Sequence, residues 1–320
     1  MLVALAGIGE VALQQHVPAI NNSPQWELAA TCSRNGSVPG IESYQDIATL
    51  LKRRPDIEMI SLCQPPEPRF AYAVSALSDR RHLMLEKPPG TTVSSCRQLE
   101  ALAKANQRTL FTTWHSREAD QVDAAMAWLA SRKVRKVEII WREDVHRWHA
   151  GQEWIWQPGG FGVFDPGINA ISILTKILPD PVHLVSAELE FPANKQTPIA
   201  ATLKLTDITG TSIDACFDWR EKGEQQWLIN VETSDGELRL INGGSQLLIN
   251  GEPVSNTDHY QKTTGDEAAE TLANEYGRLY QRMADLIEQA QSDVDLLPLQ
   301  LVADAFVMGE RRIVEAFKDE

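Results

Sequence analysis

Asp165 and Asn169 stand four residues apart in Phe164-Asp165-Pro166-Gly167-Ile168-Asn169, a spacing that on a helix puts a carboxylate and an amide on one face. A helix start that faces another domain can present both groups to a substrate. The same residues also make a good helix opening, with Asp165 as N-cap and Pro166 at the first helical position, so capping alone explains them equally well. Lys87 is set between a carboxylate and two prolines in Leu85-Glu86-Lys87-Pro88-Pro89-Gly90. At the end of a parallel strand a lysine so held reaches the crevice where ligands of open α/β sheets bind.

Gly7-Ile8-Gly9-Glu10-Val11-Ala12 is a G-x-G-x-x-A string directly after an apolar run. The first glycine allows a tight turn and the second lets a pyrophosphate approach the backbone of Ile8, Glu10 and Val11. The small third residue packs helix on strand. In a strand–turn–helix context this points to a dinucleotide. About twenty residues on, NAD binders place an acid for the ribose 2′-hydroxyl. Here Thr31-Cys32-Ser33-Arg34-Asn35 has none, and a hydroxyl with a guanidinium suits a 2′-phosphate. NADP is therefore favoured over NAD, with NAD also accepted. Cys63-Gln64-Pro65-Pro66 ends a further strand at the same edge, where two prolines fix an extended exit.

The elements that must hold these groups read as follows. Short apolar runs at Leu2–Ala6, Glu27–Ser33, Ile57–Cys63, His82–Glu86 and Thr109–Thr113 alternate with helical patterns at Ser43–Arg54, Pro68–Leu77 and Val93–Ala105, predicting a five-stranded, doubly wound parallel sheet. After residue 118 the pattern changes. A helix at Gln121–Ser131, a long strand at Val134–Glu143 and a helix near Gly167–Ile177 precede strands at His183–Phe191, Ile199–Leu205, Ser212–Trp219, Trp227–Glu232, Glu237–Ile241 and Gln246–Ile249. These strands read as consecutive antiparallel neighbours. Helices at Glu267–Gln289 and Leu299–Phe317 follow. The expectation is an α/β chain: a Rossmann domain over 1–118, then an α+β domain over 119–320 with a large, mostly antiparallel open sheet that binds substrate and pairs with a second copy.

Composition narrows the partners. The 320 residues carry 30 Lys+Arg against 44 Asp+Glu, a net charge of −14, which argues against nucleic acid and anionic membranes. A small molecule is the expected partner. Cys32, Cys63, Cys96 and Cys216 form no C-x-x-C pair, which fits a reducing cytoplasm. The apolar opening contains Glu10 and lacks a basic start, so it reads as a buried strand rather than an export leader.

Together the G-x-G-x-x-A, Glu86-Lys87-Pro88 and Asp165 motifs resemble the Gfo/Idh/MocA oxidoreductase family, over the whole chain. The likeness is strongest to its pyranose-oxidising branch, through Met84–Gly90, Thr113-Trp114-His115-Ser116-Arg117, Trp154-Ile155-Trp156, Pro158-Gly159-Gly160 and Phe164–Asn169. Many members carry a histidine where Asn169 stands, and Asn exchanges no proton near neutral pH. The resemblance thus implies oxidation of the anomeric C1 of a D-galactose- or L-arabinose-class pyranose to its lactone. Asp165 would be the base, or water in its place, with Lys87 holding the same oxygen and Asn169 the neighbouring hydroxyls. It further implies Trp114 beside the cofactor, and Glu143, Trp148 and Trp227 against the sugar. His115 would face either the nicotinamide or a hydrogen-bonded domain boundary. Trp154 and Trp156 fit a pocket wall or a packing plug; Trp26, Trp128 and Trp141 fit the core. The H-x-x-H of His146 and His149 carries no third soft ligand, and no metal is expected. The alternatives are another polyol or aldose dehydrogenase, or a noncatalytic NADP-binding sensor that needs neither Lys87 nor Asp165. On the enzyme reading those two side chains should meet above one hollow.

Overall fold

The computed structural model describes residues 1–254 and 267–318, with 267–273 described by backbone alone. The chain divides into two compact units, Met1–Glu118 with Glu267–Leu296, and Ala119–Asp266 with Leu297–Glu320.

In the first unit β1 (Leu2–Ala6) leads into a π-helical turn (Ala12–His16) continued by α1 (Val17–Asn21). Then come β2 (Glu27–Cys32), β3 (Glu42–Tyr44), α2 (Ile47–Arg53), β4 (Met59–Leu62), α3 (Pro66–Ser78), β5 (His82–Glu86), α4 (Val93–Ala105) and β6 (Leu110–Thr113). The sheet is parallel throughout, in the order β3-β2-β1-β4-β5-β6. This is the doubly wound Rossmann arrangement. Two-residue alternation sends Ala4, Ala6, Ile60 and Leu83 to one face, under Leu50, Leu77 and Leu99 of the crossover helices. Val3, Leu5, Met59 and Met84 go to the other.

That second face is covered in part by Tyr276, Leu279, Tyr280 and Met283 of the helix Glu267–Glu288. This corrects the assignment of everything after 118 to the second unit: the amphipathic face of that helix is buried on the Rossmann sheet. Among the described residues this sheet also has six strands rather than five. The helix expected over Ser43–Arg54 begins only at Ile47, where Asp46 caps it by accepting from Thr49 N at 2.8 Å, and Glu42–Tyr44 pairs with β2 instead.

The second unit runs α5 (Val122–Leu129), β7 (Val134–Arg142), α6 (Val145–Trp148), α7 (Phe164–Ile177), β8 (Val182–Pro192), β9 (Ala200–Asp207), β10 (Ser212–Asp218), β11 (Gln226–Thr233), β12 (Glu237–Ile241), β13 (Gln246–Ile249) and β14 (Glu252–Pro253). A helix Leu297–Met308 and β15 (Glu310–Val314) complete it. The sheet order is β14-β13-β12-β11-β7-β10-β9-β8-β15. It is mostly antiparallel, but β10 and β11 are not neighbours as expected. Both pair with β7, β10 in parallel. The last expected helix, Leu299–Phe317, stops at Met308, and the charged Glu310-Arg311-Arg312 stretch adds a parallel edge strand to β8.

Helix α7 lies close on this sheet because Gly167 leaves no side chain between them: a Cβ there would sit 2.9 Å from the Phe217 ring. Phe164, Ile168, Ile171 and Leu174 are buried beneath it. Its N-cap is Val163, with no side-chain capping bond, so Asp165 lies inside the first turn rather than capping it. Trp26 and Trp141 are core residues. Trp128 is only half-buried, under the Arg132 guanidinium at 4.1 Å. Among the described residues no helix is long and apolar enough to cross a membrane.

Candidate active site

Each unit carries a cluster of its own. In the first, Gly7 turns the chain at φ +89°, and a Cβ on it would lie 2.6 Å from Gln64 N, so only glycine lets the β1 and β4 exits pack together. Above Gly9 the space a Cβ would enter is open to 4 Å. Both amide atoms of Gln64, Oε1 and Nε2, are buried without a hydrogen-bond partner. An open glycine turn beside an unsatisfied amide is the cradle a dinucleotide fits, since a polar ligand there removes the cost of leaving that amide unpaired. Ile8 is buried, Glu10 and Val11 are exposed, and Cys63 and Pro65 line the neighbouring exit half-buried and exposed respectively. At the end of β2, Ser33 is half-buried and Arg34 exposed.

Behind this edge lies a buried polar network. Glu86 Oε1 accepts from the Tyr276 hydroxyl at 2.8 Å and from His16 Nε2 at 3.0 Å, and its Oε2 accepts from Lys87 N at 2.9 Å. His16 Nδ1 pairs with the Tyr280 hydroxyl at 2.9 Å. Burial opposes charge on both His16 and Glu86. Cys63, Tyr280 and Glu86 nevertheless lift His16 well above the usual imidazole range, and His16, His115 and Tyr276 hold Glu86 at about 2. The pair is thus an ion pair, and the Glu86 carboxylate is engaged with protein. The buried Arg69 guanidinium donates to the carbonyls of Gln64, Glu86 and Pro88, tying the two loops that carry Gln64 and Lys87. Trp114 is buried, its Nε1 donating to Asp295 O at 2.9 Å. His115 pairs with Glu275 Oε2 at 2.7 Å and stacks on Tyr276 with ring centroids 5.6 Å apart.

In the second unit the sheet face under α7 gathers acids and indoles. Glu143 Oε1 accepts from Trp219 Nε1 at 3.2 Å and Oε2 from Trp227 Nε1 at 3.0 Å, which leaves each oxygen room for a further donor. Trp227 meets Trp148 edge-on at 5.8 Å, and Gln225 Oε1 accepts from Trp148 Nε1 at 3.2 Å. Asp165 is 5% exposed and Asn169 is half-buried one turn further along α7. Trp156 is buried, packed against Trp219 at 5.3 Å and Phe317 at 4.9 Å.

The sequence reading missed one member of this cluster. His149 lies between the two acids, Nε2 3.5 Å from Glu143 Oε1 and Nδ1 3.8 Å from Asp165 Oδ2. The signal was the H-x-x-H string, considered only as a metal motif. Its first histidine turns elsewhere, to Asp144 Oδ1 at 3.0 Å and Lys318 O at 3.1 Å. A carboxylate, an imidazole and a second carboxylate walled by indoles can accept hydroxyl hydrogens and cover the apolar side of a ring.

A Gfo/Idh/MocA family model, described as an oxidoreductase family with an NAD-binding Rossmann fold, matches residues 1–114. The chain is 40% identical to the galactose 1-dehydrogenase of Pseudomonas fluorescens over 317 residues, 99% of this chain and 98% of that protein. The crystal structure of a D-galactose-1-dehydrogenase protein from Rhizobium etli superimposes with a TM-score of 0.91 at 45% identity, covering 99% and 97% of the two chains. A 3-ketoreductase from Actinomadura kijaniata, solved with NADP and TDP-benzene, shares the fold at a TM-score of 0.81 and 16% identity, covering 98% of this chain and 99% of its own.

Proposed function

Because the chain belongs to the Gfo/Idh/MocA oxidoreductase family, we propose that it is an NAD(P)-dependent sugar 1-dehydrogenase that oxidises the anomeric C1 of a D-galactose- or L-arabinose-class pyranose to the lactone. The first unit binds the dinucleotide. The second binds the sugar and pairs with a second copy of the chain, in the cytoplasm. A nicotinamide held at that edge would supply the acceptor for the hydride that leaves C1.

The protein's own residues do the rest. As hydride leaves, the C1–O bond becomes a carbonyl, and the hydroxyl proton passes to the Asp165 carboxylate. Lys87 donates to the same oxygen and stabilises the charge developing on it. Asn169, Glu143 and His115 hold the remaining hydroxyls, while Trp148 and Trp227 cover the apolar ring face. Gly7, Ile8, Gly9, Glu10, Val11, Cys63, Gln64, Pro65 and Trp114 form the cofactor edge, and Glu86 acts there by fixing Lys87 N. Ser33 and Arg34, with no acid beside them, favour NADP.

The observation that carries this reading is the burial of Asp165 and Glu143 in one indole-walled cluster, in a chain similar over its full length to a galactose 1-dehydrogenase. The experiment is a panel of galactose, arabinose, fucose, xylose and inositol, each with NADP and NAD, following nicotinamide reduction. Turnover of galactose or arabinose is expected, with Asp165→Asn lowering kcat about 10²–10⁴-fold. Silence across the panel with cofactor binding confirmed, or an Asp165→Asn variant as fast as the parent, overturns it.

A further inference from the structure

The outward histidine of the H-x-x-H string leads to a segment that the reaction does not use. After β15 the chain crosses the turn that follows β8 and is held there at one residue: Asn194 Nδ2 donates to Phe317 O and Phe317 N donates to Asn194 Oδ1, both at 2.8 Å. The Phe317 ring stacks on His146 at 5.1 Å with 18° between planes and packs on Trp156 at 4.9 Å. Lys195 Nζ caps the Trp156 and Phe317 rings at 5.4 Å each. His146 Nε2 then donates to Lys318 O at 3.1 Å.

His146 belongs to α6, a single turn of four residues. Such a helix has almost no stability of its own, because nucleation costs more than one turn returns. What holds it is external. Asp144 caps it through His146 N at 3.0 Å, and Gln225 Oε1 accepts from Asp144 N at 2.7 Å and Trp148 Nε1 at 3.2 Å. The Phe317–Lys318 segment adds a contact at His146, and Val145 N donates to Trp219 O at 3.1 Å. The residues that α6 presents are Trp148 and, immediately after it, His149, the neighbour of Glu143 and Asp165.

We propose that the segment Glu315–Lys318 is a strap that positions the sugar-binding cluster, with Phe317 and His146 as its positioning residues. Without the strap α6 frays, and Trp148 and His149 lose their fixed places beside Glu143 and Asp165. The effect falls on sugar binding and not on the cofactor edge, which lies in the other unit. This rests on the reading of the second unit as the sugar-binding one, so the first measurement is independent of activity.

That measurement is hydrogen–deuterium exchange of the whole chain as Phe317→Ala. Faster exchange at residues 145–156, with the amides of β1 to β6 unchanged, is expected; unchanged exchange at 145–156 overturns the strap whatever the enzyme turns over. In kinetics, losing one stacked ring pair raises the sugar KM about three- to tenfold and leaves the cofactor KM within about twofold. Phe317→Tyr keeps the stack and restores the parent KM. His146→Ala raises the sugar KM similarly, and the double variant His146→Ala/Phe317→Ala adds little to either alone. Sugar and cofactor KM rising together, or a Tyr variant no better than Ala, marks general destabilisation and overturns the proposal. If no sugar is oxidised the functional reading fails, while the exchange result still decides the strap.

Discussion

The Tyr276 hydroxyl donates to Glu86 Oε1 at 2.8 Å, so a helix late in the chain grips the carboxylate that precedes Lys87. Its loss and the loss of His16 differ in kind. Tyr276→Phe removes one donor from a charged acceptor that keeps two others, a cost of about 1.5–3 kcal/mol. His16→Ala leaves a buried carboxylate without its cation, a cost of about 3–5 kcal/mol. Urea unfolding should rank the variants in that order, and equal losses would contradict the ion pair.

The same pair sets a pH window. Glu86, held at about 2 against an ordinary value of 4.5, contributes stability above that ordinary value and loses it as pH falls towards about 2. His16, raised above its ordinary 6.5, contributes fully below 6.5 and loses its share as pH rises through the folded-state value. Both contributions are complete only between 4.5 and 6.5. The difference in unfolding free energy between the parent and Glu86→Gln should peak there and shrink on either side. A difference that stays flat from acid to alkaline pH would refute the assignment.

On the proposed reading cofactor choice turns on Arg34, which is exposed at the end of β2 with no acid in Thr31–Asn35. A charge-assisted bond to a 2′-phosphate is worth about 1.5–3 kcal/mol. Arg34→Ala should therefore raise the KM for NADP about ten- to hundredfold and leave that for NAD nearly unchanged. Equal changes for both cofactors would show that Arg34 does not read the ribose.

What the residues revealed beforehand depended on how local the deciding physics is. Buried parallel strands read as apolar runs, so β1, β5 and the G-x-G-x-x-A turn were legible. β3 was not, because of its three residues only Tyr44 is buried. β15 hid for a related reason: Glu310-Arg311-Arg312 is exposed and charged, with no apolar alternation to mark a strand. Pairing partners are non-local, so nothing in β10 or β11 announced that β7 would come between them. An amphipathic pattern shows that the helix Glu267–Glu288 must bury a face, and not against which sheet. In the site, Glu143, Trp148 and Trp227 came from the resemblance and do meet in the second unit. His149 escaped because its motif also fits metal binding, and only three-dimensional placement separates its role from that of His146.

That placement makes His149 a partner of Asp165 and gives the last prediction. Its ring is mostly buried, 4.9 Å from Trp219, with its two nitrogens turned towards the Glu143 and Asp165 carboxylates. His149→Phe keeps the packing and removes both nitrogens. Sugar kcat/KM should fall about ten- to hundredfold, while cofactor binding in the other unit stays as in the parent. Whether the two residues act together is read from the double variant. If His149 works through Asp165, adding His149→Phe to Asp165→Asn costs little beyond Asp165→Asn alone, since the interaction is already gone. Losses that multiply would mean that the imidazole serves the sugar independently, and the coupling inferred from its position between the acids would be refuted.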